Sequence, residues 1–325
     1  MTRTQMLWNG ASRIGLVCIA MLLSLSVSSA LAQDSDISHD SWSSGAHMPK
    51  AILAPAAAVL GKRIILVGGA IDWSNIGISD THIYNPASNT WSKGPALPTP
   101  IFAAAAAVVN NVFYVFGGQQ GSTYSNAVWA YDLQTKTWSA KSPMPTARAE
   151  LAAVVEKNNT IYVVGGWNGS RVSNVESYNP ATDTWMEETP LLAGKSGLTA
   201  GLIGGWIVAA DGYTDYGDNG DNEGYNPFTN AWKSGAPDPT ARDGTCGGSI
   251  GPQLYVASGY QGNGGSAVTL TESFNSFTNT WTTLADIQQG TLAAGSAVYN
   301  GQLYCFGGAA SYVGTLLNNV QIYQP

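Results

Sequence analysis

The chain has 325 residues, of which only 11% are charged; it carries 38 Gly, 11 Trp and a formal net charge of −7. This mixture is too apolar for a disordered chain and too rich in Gly for a helical one, so short strands joined by turns are expected. The acidic balance argues against nucleic acid or an anionic membrane as the main partner.

Residues 1–32 read as a secretory signal peptide. Arg3 and Arg13 form a basic start, Ile14 to Val27 is apolar, and Ala30-Leu31-Ala32 fits a cleavage site. An apolar run of about 14 residues is short of the ~20 that span a bilayer, so no stable membrane insertion is expected after cleavage. Val17 before Cys18 is larger than a lipoprotein cleavage box wants. The mature chain, starting at Gln33 with net charge −9, is therefore expected in the periplasm or secreted. It keeps Cys246 and Cys305, which in an oxidising compartment form either a disulfide or two buried thiols on different repeats.

From residue 33 to 325 one repeat organises the sequence. Trp recurs at 42, 91, 138, 185, 232 and 281, at steps of 49, 47, 47, 47 and 49. An aromatic precedes each of the last five by seven residues: Tyr84, Tyr131, Tyr178, Tyr225 and Phe274, with Tyr323 as a sixth copy. Apolar runs ending in Gly-Gly come before these, at Gly68-Gly69, Gly117-Gly118, Gly165-Gly166 and Gly307-Gly308, and weakly at Asp211-Gly212 and Ser258-Gly259. In the third repeat this predicts strands at 151–155, 161–164, 175–178 and 184–186, separated by turns such as Asn179-Pro180-Ala181-Thr182. Four antiparallel strands per repeat make a propeller blade, and the small residues of each first strand, such as Ala56-Ala57-Ala58, suit the crowded centre of a radial array.

The double Gly, the Tyr and the Trp, in this order and spacing across Asp40 to Pro325, resemble the kelch repeat. The resemblance implies an all-β, six-bladed propeller. The sixth repeat ends two residues after Tyr323, while Trp42 belongs to a strand with no repeat before it. The N-terminal strand is therefore expected to complete the last blade and close the ring.

Kelch enzymes and binders tend to use the face formed by the loops between the second and third strands and by the connections into each next blade. Ten residues after each Trp, those connections present Ile52, Ile101, Arg148, Lys195, Arg242 and Thr291, with Glu150 and Asp243 beside the arginines. Two roles are open for the cations: a ligand-facing clamp for a carboxylate or for sugar hydroxyls, or ties between blades. Trp73, Trp167, Tyr213 and Tyr260, in the loops after the glycines, offer flat apolar faces beside polar groups, including Arg171, Asp215 and Gln261. Asp211, Asp215, Asp218, Asp221 and Glu223 crowd one loop, which reads as a solvated acidic segment rather than a Ca²⁺ loop.

No catalytic constellation, metal spacing or cofactor motif stands out. His39, His47 and His82 all lie near the N-terminal end and do not match the copper ligands of galactose oxidase, which is itself a kelch propeller. The expectation is an exported binding module for a glycan or an extracellular protein. The alternative is an enzyme similar to the exported kelch mutarotases of N-acetylneuraminate, acting on an acidic sugar with Glu150 or Asp243 as acid and base.

Overall fold

A computed structural model describes residues 39–262 and 265–325. The expected signal peptide and the expected mature start at Gln33 lie outside the described residues. Within them, six four-stranded antiparallel sheets follow one another, and no helix is formed.

Blade 1 runs from the innermost strand outward as Ala56–Leu60, Arg63–Val67, Thr81–Asn85 and Thr90–Lys93. Blades 2 to 5 repeat this order, starting at Ala105, Ala152, Thr199 and Cys246. Blade 3 forms at Ala152–Val155, Ile161–Val164, Val175–Asn179 and Thr184–Glu188, within two residues of the sequence expectation. Inner strands of neighbouring blades pack together, and blade 6 packs against blade 1. Ala, Gly, Ser and Val side chains dominate the lining of the central channel, whose cavity volume is about 430 Å³.

The aromatic repeat explains how blades hold their neighbours. In each blade the Tyr or Phe of the third strand stands opposite the Trp of the fourth, with ring centroids 4.9 to 5.4 Å apart. Such pairs stabilise by about 0.5–1.5 kcal/mol beyond the area they bury. Each Trp indole N–H then donates to a backbone carbonyl in the connection that leaves the preceding blade, as from Trp185 to Ser142 at 2.9 Å and from Trp232 to Thr189 at 2.8 Å. The residue two before the Trp holds a left-handed turn, at Asn89, Lys136, Asp183, Asn230, Asn279 and Asp40. Where it is Asn or Asp, its side chain accepts a backbone N–H from the same connection, as Asp183 does from Ser142.

Closure follows the same scheme. Ser41–Gly45 pairs with Val320–Gln324, placing Trp42 opposite Tyr323, and the Trp42 indole donates to Ala285 at 2.9 Å. Asp40 accepts from the Tyr323 hydroxyl at 2.8 Å and from the Ala285 N–H at 2.7 Å. A disulfide joins Cys246, on the inner strand of blade 5, to Cys305, on the second strand of blade 6, with Cα atoms 5.9 Å apart. Their different repeats are neighbours in the ring.

A second ring lies at the mouth of the channel. Ala54, Ala103, Glu150, Gly197, Gly244 and Ala293, one from each connection into a new blade, all have left-handed φ between 46° and 64°. Each N–H donates to the carbonyl of the preceding member, and Ala54 donates to Ala293, so the six bonds form a closed circle with N···O distances of 2.7 to 3.3 Å. The left-handed turn costs a non-Gly residue roughly 1–2 kcal/mol, offset here by the hydrogen bond it allows. Glu150 is the one member with a polar side chain.

Candidate functional site at the mouth over blades 3 to 5

Because the six blades are equivalent in backbone, a site shows itself where equivalent positions stop agreeing. The first such position is the cation row. Arg148, Lys195 and Arg242 are wholly buried. Each reaches a glutamate on the third strand of the blade it enters: Arg148 to Glu176 at 2.6 Å, Lys195 to Glu223 at 2.8 Å, Arg242 to Glu272 at 2.9 Å. Arg148 also donates to the carbonyls of Gly165 and Thr146 at 2.9 Å and of Val163 at 3.2 Å. In blades 1, 2 and 6 the equivalent positions hold Ile52 and His82, Ile101 and Trp129, and Thr291 and Gln321, with no charge pair. One internal slot is thus filled by ion pairs in half of the ring and by neutral pairs in the rest. Of the two roles open from sequence, the geometry matches the structural one: Arg148, Lys195 and Arg242 are buried and fasten each connection to the blade it enters.

The acidic loop also divides. Asp211 and Glu223 are buried, the latter on Lys195; Asp215 is exposed on Arg171 at 3.3 Å, and Asp221 accepts from the Asn219 amide. The loop is therefore not a single solvated segment, and no metal-holding cluster of acidic, His or Cys side chains occurs among the described residues. Asp211 stands where four other repeats have the first Gly and keeps the left-handed turn, with φ 61°. Burial, and next the neighbouring Asp238, raise its proton affinity well above that of an ordinary carboxyl, against the pull of Arg242.

The second position that differs lies just before the hydrogen-bonded ring. Leu53, Phe102, Ala149, Ser196, Asp243 and Leu292 each bridge to the start of a loop between second and third strands, at Ala70, Gln119, Trp167, Tyr213, Tyr260 and Ala309. Blades 3 to 5 alone combine an aromatic in the loop with a polar or ring-carboxylate base. Glu150, Ser196 and Asp243 form the floor; Trp167, Tyr213 and Tyr260 form the wall. Asp243 covers Gly197, with its Oδ2 3.7 Å from where a side chain at that glycine would begin, and Gly197 is the ring neighbour whose N–H bonds the Glu150 carbonyl at 3.0 Å.

Charge is unevenly held there. Burial raises the proton affinity of Glu150, opposed by a hydrogen bond from Ser196 and by Arg171. Burial pushes Asp243 up to about 7, with Asp218 and Glu150 adding to the rise. Asp218 is itself raised by burial, although its Oδ2 accepts the Gly262 N–H at 2.6 Å. Arg171 is the cation beside them, its guanidinium 4.5 Å from the Trp167 ring and 4.6 Å from the Tyr213 ring. Aromatic faces on both sides fix such a group without neutralising it. Arg171 Nε, Asp218 Oδ1 and Asp243 Oδ1 are buried without a hydrogen-bond partner, a concentration that a ligand or water at the mouth would satisfy. Two neighbouring carboxyls whose proton affinities are both raised, Asp243 partly by Glu150, suit general acid–base chemistry.

Of the residues expected from sequence, Glu150, Asp243, Trp167, Tyr213 and Tyr260 thus come together, whereas Trp73 lies further round the rim, its indole donating to Gly314 at 2.9 Å. Ser196 was not expected, and its signal was only the registration of the connections. Arg171 and Asp218 stood among loop residues without a role.

Four-stranded antiparallel blades, a Tyr–Trp pair in each and an N-terminal strand that closes the ring define a six-bladed β-propeller of the kelch type. Its sequence agrees: the family described as the KLHDC2/KLHL20/DRC7 Kelch-repeats domain matches residues 35–196, and the chain belongs to the kelch-repeat propellers. A solved structure, described as "Structure of YjhT", is similar with a TM-score of 0.73 at 19% identity, over 85% of this chain and 96% of that one. At that identity the likeness concerns the fold. No curated protein matches the chain in sequence.

Proposed function

We propose that this kelch propeller is exported and binds a neutral sugar at the mouth over blades 3 to 5, where Glu150 and Asp243 transfer protons on it. The observation that carries the reading is the pair itself. Two half-buried carboxyls, both with raised proton affinity and with Glu150 adding to the rise at Asp243, stand at positions that other blades fill with Ala, Gly, Leu, Phe or Ser. Aromatic rings beside hydrogen-bonding groups suit a sugar, and the acidic floor favours a neutral one over a sugar acid. The reaction class is interconversion of ring forms. One carboxyl gives its proton to the ring oxygen while the other takes the proton of the anomeric hydroxyl. The ring C–O bond breaks and a carbonyl forms; reclosure on the other face returns both protons, and nothing is consumed. The export leader read at 1–32 and the Cys246–Cys305 disulfide support an oxidising address outside the cytosol.

A pure binding module is the second reading, favoured by the Asp215 carboxylate that already engages Arg171. A thermal-shift panel of neutral sugars, sugar acids, Ca²⁺ and EDTA tests the binding, since a ligand of the native state raises its melting temperature. A rise with neutral reducing sugars is expected. A rise confined to sugar acids would overturn the assignment of a neutral ligand, and the absence of any rise with sugars would overturn the site.

A further inference from the structure

The mouth does not end at blade 5. Tyr260, the wall residue of that blade, exchanges two backbone hydrogen bonds with Asp243, at 2.8 and 3.0 Å, so its position is tied to the carboxylate. Its ring meets Tyr312 of the blade 6 loop at a centroid distance of 5.9 Å and an interplanar angle of 37°. Tyr312 in turn meets Trp73 of the blade 1 loop at 5.5 Å. Three rings from three blades thus form a continuous arc that starts beside Asp243 and steps round the ring of blades. Tyr312, in the middle, is 64% exposed although it touches two aromatic neighbours. The floor beneath is the apolar cluster of Leu53, Leu292 and Ala309, against which Trp73 and Tyr260 pack.

From this continuity we infer that the ligand is a chain of sugars rather than a single one, with its reducing-end unit over Glu150 and Asp243 and the following units lying on Tyr260, Tyr312 and Trp73. The inference rests on the sugar reading of the mouth and extends it to the substrate class. A single sugar at the floor leaves Tyr312 and Trp73 without a role, whereas flat rings at successive steps from an acid–base pair match the apolar faces of successive glycosyl units. The arc and the mouth share Tyr260, so a chain held by one reaches the other with no gap.

The experiment compares binding of monomer and linear hexamer by calorimetry with the full mature chain: glucose against maltohexaose and cellohexaose, N-acetylglucosamine against chitohexaose, mannose against mannohexaose. At least one hexamer is expected to bind tenfold or more tighter than its own monomer. Tyr312→Ala should remove most of that advantage and leave the monomer's affinity within twofold, and Tyr312→Phe should restore it, because the ring and not the hydroxyl is used. Trp73→Ala should act in the same direction. Equal binding of monomers and hexamers, or a Tyr312→Ala variant with the hexamer advantage intact, would overturn the chain reading while leaving the sugar site standing. No binding of any monomer or hexamer would overturn both, and binding of a protein partner blocked by Tyr312→Ala under those conditions would assign the arc to that partner.

Discussion

Replacing Arg148 by Ala tests whether the cations of the blade connections are structural. Arg148 is 0% exposed and its guanidinium makes four hydrogen bonds, one of them to a glutamate that is equally buried. Removing it leaves Glu176 charged and unpaired in the interior, a change that costs about 3–5 kcal/mol. With an unfolding entropy of about 2.1 cal/mol/K per residue, a domain of this size should lose roughly 5–8 °C in melting temperature. The paired variant Arg148→Ile with Glu176→Leu removes both charges and imitates the neutral filling of blades 1 and 2. It should recover most of the loss. Differential scanning calorimetry of the three proteins, with sugar binding measured alongside, decides the point. An Arg148→Ala protein with unchanged melting temperature and abolished ligand binding would refute the structural assignment and return Arg148 to the mouth.

Three further outcomes are expected. Deletion through Gly45 removes Trp42 and its strand from blade 6, so it should lower the melting temperature by more than 5 °C, and an unchanged value would contradict closure by this strand. Reduction of the Cys246–Cys305 bridge, which encloses a separation of 59 residues, should destabilise by up to about 4 kcal/mol on chain-entropy grounds, seen as a lower urea midpoint with than without reductant. For pH, Asp243 binds its proton more tightly when folded, so its contribution to stability is present below pH 4 and is lost as pH rises from about 4 to about 7. Asp243→Asn should therefore gain stability relative to the parent at pH 8 and not at pH 4; equal differences at the two values would show that Asp243 titrates normally.

The fold was legible because its devices recur. Trp and Tyr at a fixed separation mark the pair that staples each blade to its predecessor, and six copies leave little freedom in strand order. The copies at Asp211-Gly212 and Ser258-Gly259 looked weak, yet Asp211 and Ser258 adopt the same left-handed turn as the glycines they replace. The cation row left two roles open for a physical reason: whether Arg148 faces solvent or the interior depends on Glu176, on the third strand of the same blade, and the pairing appears only when the blades are superposed by register. The hydrogen-bonded ring had no signature at all, since Ala, Gly and Glu occupy it and the bond uses backbone alone. Glu150 and Asp243 were singled out from their place beside the arginines, and the structure sets them near each other while the arginines turn inward. Arg171 was harder to single out, because its role comes from Trp167 and Tyr213 on two different blades.

The central claim is that Glu150 and Asp243 act on a neutral sugar held at the mouth, and the most direct measurement is exchange spectroscopy by NMR of the α and β anomers of the best-binding reducing sugar. The parent protein should accelerate anomer exchange, and Glu150→Gln and Asp243→Asn should each slow it at least tenfold while still shifting their melting temperatures with the same sugar. Undiminished exchange in both variants, or a parent that binds the sugar without accelerating exchange, would contradict the account.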